Sequence, residues 1–546
     1  MSEKQRKILV TTALPYANGS IHLGHLLETI QADIWVRYHR SMGRDCFYIC
    51  ADDTHGTPIM LKAKNLNISP EALIEKVYQE HKKDYEDFLI GFDDFYTTHS
   101  QENQVWANNI YQKLNDKGLI IRRNIQQLYD EKENMFLPDR FVKGQCPKCE
   151  AQEQYGDNCE QCGASYSPTD LVSPYSVLSN TTPIVKESEH YFFDLPQFEG
   201  FLQEWIDSGV LQPQVTNKLK EWFVQGLKQW DISRDKPYFG FPIPNTNDEK
   251  YFYVWLDAPI GYISAFEHYS KTNQNITVDD FWHADSTNEV YHFIGKDIIY
   301  FHSLFWPAML NGANLRTPTN IFVHGYVNIQ GEKLSKSRGL SISARTYLEY
   351  LDPEYLRYYY ASKLSNKIVD IDFNFEDFVQ KINADLVGKL VNIASRTAGF
   401  VNKKFNGYLV DTIIDDTLLN TFIQQKDIVV EYYENLEYAK LVKLVMNLAD
   451  QANAYIADKA PWILAKDENQ RLELHQVVSI AINLFRILII YLQPILVSTS
   501  QKVEDFLNTK LDFSLIEKPL TQHKINVFKP LISRIDMSQV EKLLSC

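Results

Sequence analysis

The sequence predicts a doubly wound α/β domain with a parallel sheet, broken by a cysteine-bearing insertion and followed by an all-α helical bundle. A strand–helix–strand rhythm opens the chain and returns near residue 290. An irregular, loop-rich stretch with paired cysteines lies between the two halves, and helical periodicity alone persists from about residue 376. Alternating β and α elements imply a parallel sheet with helices on both faces.

Each element has its own justification. Lys7 to Thr12 is a continuous β-branched run, the pattern of a strand buried on both faces. Pro15 to Ser20 supplies turn residues. Leu23, Leu27, Ile30 and Ile34 then recur at helical spacing, predicting a helix from near His22 toward Arg40 that stops at Met42-Gly43. Cys46 to Cys50 is the next strand, ending at Asp52-Asp53, which completes a βαβ unit. Downstream, Tyr291–Ile294 leads into Gly295-Lys296-Asp297 and an aromatic-rich helix, and Ile321–His324 leads into Gly325 and a basic loop at 331–339. In the C-terminal part, Ile382, Leu386, Leu390, Ile393 and Phe400 share one helical face, and Leu441, Val445, Leu448 and Ala452 another, as in a bundle. We divide the chain into the first half of the α/β domain (1–117), the cysteine-bearing insertion (118–235), the second half (236–326), a basic-loop region (327–388) and the helical domain (389–546).

Composition excludes several classes. With 546 residues, 45% hydrophobic and 23% charged, the chain is ordinary globular material of about three or four domains, not a disordered or disulfide-scaffold protein. Its net charge of −15 rules out bulk polyanion binding, so any nucleic-acid contact must come from local basic surface. The N-terminus has no apolar signal core, and the longest apolar tract, 482–497, is interrupted and short for a bilayer. The expectation is a cytoplasmic protein without a membrane segment.

Three motifs carry chemistry. His22-Leu23-Gly24-His25 opens the first helix directly after a strand and turn, where helix N-terminal N–H groups suit a phosphate. The imidazoles, three residues apart, share a face, and Gly24 leaves backbone uncovered for a flat ring. Lys333-Leu334-Ser335-Lys336-Ser337-Arg338-Gly339 puts three cations and two hydroxyls in a loop after a strand of the same sheet. Both motifs are then expected at the carboxyl edge, where α/β proteins bind ligands. Taken singly, the first reads as surface or packed histidines and the second as a solvated basic turn. Cys146-Pro147-Lys148-Cys149 and Cys159-Glu160-Gln161-Cys162 are two CxxC knuckles that suit one closed, tetrahedral, structural Zn²⁺ rather than disulfides or a redox pair.

The combination of HxGH and KLSKS resembles the two signatures of class I aminoacyl-tRNA synthetases. Ala13 to Gly19, Ala51-Asp52-Asp53, Trp230 to Arg234, Trp255 to Tyr262 and Phe293 to Asp297 extend the likeness to the methionyl-tRNA synthetase family, bacterial type with a zinc-bearing insertion. The one signature departure is Leu334 where the family usually has Met, a near volume-conserving swap. The resemblance implies a Rossmann-type catalytic domain and ATP-dependent ligation of L-methionine to tRNA(Met) through a methionyl-adenylate, with Mg²⁺ accompanying ATP. It implies His22, His25, Lys333 and Lys336 as catalytic residues, and Tyr16, Gly24, Gly295, Asp297, Val327 and Lys336 around ATP. The methionine pocket would be Leu14, Tyr16, Trp255, Ala258, Pro259, Tyr262, Ile298 and His302, with Asp53 taking the ammonium. Unaided, Trp255 and Tyr262 read as core aromatics and Asp53 as a cap. Asn392, Arg396 and Trp462 would meet the anticodon, within a stretch where Lys381, Lys389, Arg396, Lys403 and Lys404 oppose Asp385 alone. Without the resemblance, Trp462 is a packed helix-start residue. Two other readings remain: a nucleotidylyltransferase without tRNA, and a non-catalytic zinc-ribbon nucleic-acid-binding protein. A chain ending after the bundle is expected to be a monomer.

Overall fold

The computed structural model describes residues 6–544 apart from 157, 165, 247–248, 274, 330–331 and 334–341. Five parallel strands form the central sheet: β1 (Lys7–Thr12), β2 (Asp45–Asp52), β3 (Asp94–Thr97), β4 (Glu289–Gly295) and β5 (Asn320–His324), in the order β5-β4-β1-β2-β3. The chain winds outward one way through β2 and β3 and the other way through β4 and β5. The topological switch therefore falls between β1 and β4, and the crevice at their carboxyl ends is where such a sheet takes a ligand. Ile8 to Thr12 of β1 are all buried, as its uninterrupted apolar run requires of a strand covered on both faces.

Helix α1 (Leu23–Ser41) follows β1 and ends in Gly43, whose φ of 73° supplies the left-handed residue that closes a helix. It is buried on nearly every side because it lies between the sheet and the bundle. Tyr38 stacks on Tyr433 at 4.7 Å, and the Tyr438 hydroxyl donates to the Gln31 carbonyl at 3.1 Å. Helix α2 (Val254–Thr272) crosses β2 and β3 and reaches the carboxyl edge.

The insertion is more regular than its sequence suggests. Strands Ile120–Asp130 and Ile184–Phe193 form one long antiparallel ladder, from Ile120↔Phe193 to Tyr129↔Ile184. Their polar faces, with Arg122 and Arg123 on the first strand and Lys186, Glu187 and Glu189 on the second, hide the alternation that marks a strand. A smaller sheet, Val142–Gln145 between Gln154–Tyr155 and Val172–Ser176, carries the knuckles. Helices Glu199–Asp207 and Pro213–Gln225 instead send Leu202, Trp205, Val215 and Leu219 into the same core as Leu9 and Ile49 of the central sheet.

Beyond Ile371–Phe373 the described chain is helical. Helices Asn392–Lys404, Tyr438–Lys459 and Arg471–Leu492 pack together, and Ile382, Leu386, Leu390, Leu441 and Val445 are buried among them. The segment Glu468–Leu492, which overlaps the interrupted tract at 482–497 and exceeds it in length, is long and apolar enough to cross a membrane, and it is the bundle's core: 89% of its most apolar window is buried. Helix α3 (Pro353–Ala361) joins the bundle to α1: Arg357 donates to Asp33 at 2.6 Å and to the carbonyls of Ile495 and Pro494 at 3.0 and 3.1 Å.

Candidate active site and cysteine centre

The carboxyl edge opens into a cleft of about 640 Å³. It is lined at β1 by Leu14 and Tyr16, at α1 by His22, Gly24 and His25, after β2 by Asp53, and at α2 by Trp255, Ala258, Pro259 and Tyr262. Gly295, Asp297, Ile298 and His302 after β4, and Val327 after β5, complete it. Segments far apart in sequence thus share one cavity.

His22 is the N-cap of α1. Its Nδ1 accepts from the Gly24 and His25 main-chain N–H groups at 3.1 and 3.4 Å, and His25 Nδ1 accepts from the His22 N–H at 3.4 Å. The rings stack at 3.7 Å. A capping box built from two histidines fixes both tautomers: with each Nδ1 accepting, each Nε2 carries the proton and is a donor. The helix start thus presents two N–H donors in addition to its main-chain field.

Asp53 stands at the carboxyl end of β2 with Oδ1 buried and without a protein partner. Burial pushes its pKa well up, and the Asp257 carboxylate pushes it further. A carboxylate so placed wants a cation, and a ligand ammonium would supply one. Of the cleft residues near it, Leu14, Tyr16, Trp255, Ala258, Pro259, Tyr262 and Ile298 carry no charge. Tyr262 donates to His302 Nε2 at 2.8 Å and His302 Nδ1 donates to the Ile298 carbonyl at 3.1 Å. Both ring nitrogens are occupied, and burial lowers the His302 pKa to about 4, so the ring is neutral. Trp255 lies flat on Phe301, 3.8 Å between centroids and 5° between planes. Pro259 inside α2 cannot donate to the Trp255 carbonyl, which loosens the helix at the cleft wall. Gly261 allows α2 its close approach, since a Cβ there would stand 2.7 Å from Leu14 Cδ1. At the other end, a Cβ on Gly295 would meet Asp297 Oδ1 at 2.6 Å.

Glu28 and Phe301 are among the cleft residues that the sequence did not single out. Glu28, one turn along α1 from His25, accepts from or donates to His324 Nε2 at 3.1 Å, and its spacing from His25 on the same helix face was the available signal. Phe301 was legible only as part of an aromatic-rich run. Lys336 lies outside the described residues. For Lys333 the main chain alone is described: Glu332–Lys333 pairs antiparallel with Val327–Ile329, placing Lys333 opposite Asn328, beside the cleft residue Val327.

The four knuckle thiols converge. All Sγ atoms lie within 4.8 Å of one another, with Cys146–Cys162 at 3.9 Å and Cys149–Cys159 at 3.5 Å. Four thiolates about 2.3 Å from one Zn²⁺ would be roughly 3.8 Å apart along each tetrahedral edge, so the set fits that ion. The two knuckles repeat one backbone design. Cys146 N donates to Ala151 O and Glu150 N to Cys146 O, while Cys159 N donates to Ala164 O and Gly163 N to Cys159 O. Glu150 and Gly163, each just after a second cysteine, have φ of 61° and 70°.

In the bundle, Arg396 sits over the Trp462 ring at 4.8 Å, and Asn392 donates to Asn453 at 3.0 Å. Trp462 is 40% exposed, because Ala460 turns left-handed and Pro461 starts a new direction. The local cationic excess is smaller than the sequence implied: Asp385, already counted there, pairs with Lys381 at 3.4 Å, and Asp450, from the neighbouring helix, pairs in addition with Lys389 at 2.8 Å. A linear count cannot see charges brought in from another helix.

Comparison with solved structures places the fold. Mycobacterium tuberculosis methionyl-tRNA synthetase in complex with methionyl-adenylate is 23% identical, with a TM-score of 0.79 over 96% of this chain and 99% of that one. Its apo form is 20% identical, with a TM-score of 0.73 over 98% and 99%. A family model described as "tRNA synthetases class I (M)" matches residues 8–398, from β1 through both halves of the cleft into the first bundle helix. On that match the chain belongs to the class I tRNA synthetases.

Proposed function

We propose that this synthetase ligates L-methionine to tRNA(Met) in two steps. The methionine carboxylate attacks the α-phosphorus of ATP, forming methionyl-adenylate and expelling pyrophosphate. The 2′-hydroxyl of the terminal tRNA ribose then takes the acyl group and AMP leaves. The observation that carries the reading is the shared cleft, with a carboxylate that keeps one buried oxygen unpartnered at one end and two oriented imidazole donors at the other.

In-line transfer at phosphorus needs alignment and neutralisation of charge more than covalent help. His22 and His25 would donate through Nε2 to the phosphate oxygens, and Lys333 and Lys336 would close over the pyrophosphate end of ATP, which reaches the site with Mg²⁺. Gly24, Gly295, Asp297 and Val327 would surround the adenosine. Asp53 would take the ammonium. The side chain would lie against Leu14, Tyr16, Trp255, Ala258, Pro259, Tyr262, Ile298 and His302, a wall without net charge and rich in the aromatic edges that suit a thioether. One structural Zn²⁺ would hold the insertion together, and Asn392, Arg396 and Trp462 would read the anticodon. Trp462, capped by Arg396 on one face, can offer the rest of its ring to an unpaired base. We read the enzyme as a cytoplasmic monomer.

Amino-acid-dependent exchange of labelled pyrophosphate into ATP tests the assignment. Methionine alone should support exchange; exchange driven by another amino acid, or by none, would overturn it.

A further inference from the structure

Behind the pocket wall lies a buried polar cluster that the proposed chemistry does not use. Asp257 on α2 is buried and one of its carboxylate oxygens has no hydrogen-bond partner, as is also true of Asp53. Two such carboxylates close enough to raise each other's cost of ionisation need a device to separate their roles. His55, fully buried between β2 and the next helix, is bonded at every polar position. Its Nδ1 binds Asp257, and its Nε2 meets His99 Nδ1 at 2.9 Å. Its carbonyl accepts the Tyr16 hydroxyl at 2.9 Å, and its main-chain N–H acts on the Asp53 carboxylate. Phe239 and Phe241 wall the ring from the side, with centroids at 5.5 and 4.6 Å.

We propose that His55 is a positioning residue of the amino-acid pocket: it holds Asp53 and Tyr16 in place and engages the Asp257 carboxylate, leaving Asp53 as the carboxylate that awaits the ligand's ammonium. The inference rests on the proposed amino-acid site and adds to it the origin of its selectivity for an α-ammonium group. One Asp257 oxygen is engaged from within by an imidazole, whereas Asp53 receives only main-chain help; each keeps an Oδ1 without a protein partner, but of the two only Asp53 lines the cleft. Removing the imidazole takes away the Asp257 contact directly and releases the main chain of residue 55 that holds Asp53 and Tyr16, without touching the adenosine or phosphate ends of the cleft.

The test compares the wild type with His55→Leu and His55→Asn, the latter placing an amide donor near the position of Nδ1. Pyrophosphate exchange gives KM for methionine and for ATP, and competition with methioninol and with 4-(methylthio)butanoate, which lacks the amine, gives the contribution of the ammonium. Losing the hydrogen bonds that hold a charged group should raise the methionine KM of His55→Leu about 10–100-fold. The ATP KM should stay within about twofold, and His55→Asn should recover most of the loss. The preference for methioninol over the deaminated analogue should shrink in His55→Leu. Equal changes in both KM values, a fall in kcat alone, or an unchanged analogue preference would overturn the proposal. If His55→Leu fails to fold, His55→Asn and His55→Gln are compared, since the Gln amide reaches the position of Nε2 rather than Nδ1: a methionine KM raised in His55→Gln but not in His55→Asn supports the proposal, and a methionine KM alike in both, or an ATP KM shifted equally with it, rejects it. Absence of methionine-dependent exchange in the wild type would instead reject the proposed substrate, so the two failures are distinct.

Discussion

Arg357→Met removes the clamp between the bundle and α1. In the intact protein both Arg357 and Asp33 have fully buried side chains. The guanidinium bonds Asp33 at 2.6 Å and the carbonyls of Ile495 and Pro494 at 3.0 and 3.1 Å. Breaking a buried ion pair by deleting one partner costs about 3–5 kcal/mol, because the other charge is left in low dielectric. Here Asp33 keeps Arg37 at 2.6 Å and the Gly91 N–H at 2.8 Å, which argues for the lower end, about 3 kcal/mol, while the two orphaned carbonyls add to the loss. Urea unfolding followed by tryptophan fluorescence at pH 7 would read the change, and Asp33→Asn/Arg357→Met should regain much of it by removing the stranded charge. A loss below about 1 kcal/mol, or a double variant no more stable than the single one, would refute the reasoning. The same pair predicts a pH dependence. Burial by itself would raise the Asp33 pKa, yet Arg37 and Arg357 hold it below the ordinary carboxylate value. A depressed folded-state pKa means stability that is present above the unfolded value and lost as pH falls through the folded one. The wild type should therefore lose more stability than Asp33→Asn on acidification below the ordinary aspartate range.

Other outcomes are equally specific. Lys336→Ala should lower pyrophosphate exchange by about 10²–10³-fold, the cost of one charge acting mainly in the transition state, while methionine-induced tryptophan quenching stays nearly intact; equal loss of both would count against its assigned role. Trp462→Ala should raise the KM for tRNA and spare adenylate formation, and a fall in exchange would reject it. Chelating zinc should speed proteolysis within 118–235 and lower the thermal midpoint, because metal binding contributes folding free energy there. Unchanged unfolding and cleavage would contradict a structural metal.

What was legible in the sequence follows from how local each signal is. β1 and α1 announced themselves because an all-apolar strand and a capped, periodic helix are written in consecutive residues. The cysteines did the same: two CxxC pairs nine residues apart imply a tetrahedral site before any coordinate is seen. The strands of the insertion did not, since Ile120–Asp130 carries Arg122, Arg123 and Asn124 on a half-exposed ladder that only pairing with Ile184–Phe193 stabilises. Helices 199–225 read as part of the insertion because their partners, Leu9 and Ile49, lie some 150 positions away or more. In the cleft, residue types were visible but not their relations. The His22–His25 capping box, the stacking of Trp255 on Phe301 and the four-way bonding of His55 are products of packing, and Asp450 neutralises Lys389 from another helix.

A crystal structure with a non-hydrolysable methionyl-adenylate analogue bound tests the account most directly. The ammonium should lie within hydrogen-bonding distance of Asp53 Oδ1, the phosphate mimic against the Nε2 atoms of His22 and His25, and the thioether between Trp255 and His302. An analogue lying elsewhere, or reversed with its adenine at Asp53, would contradict the account.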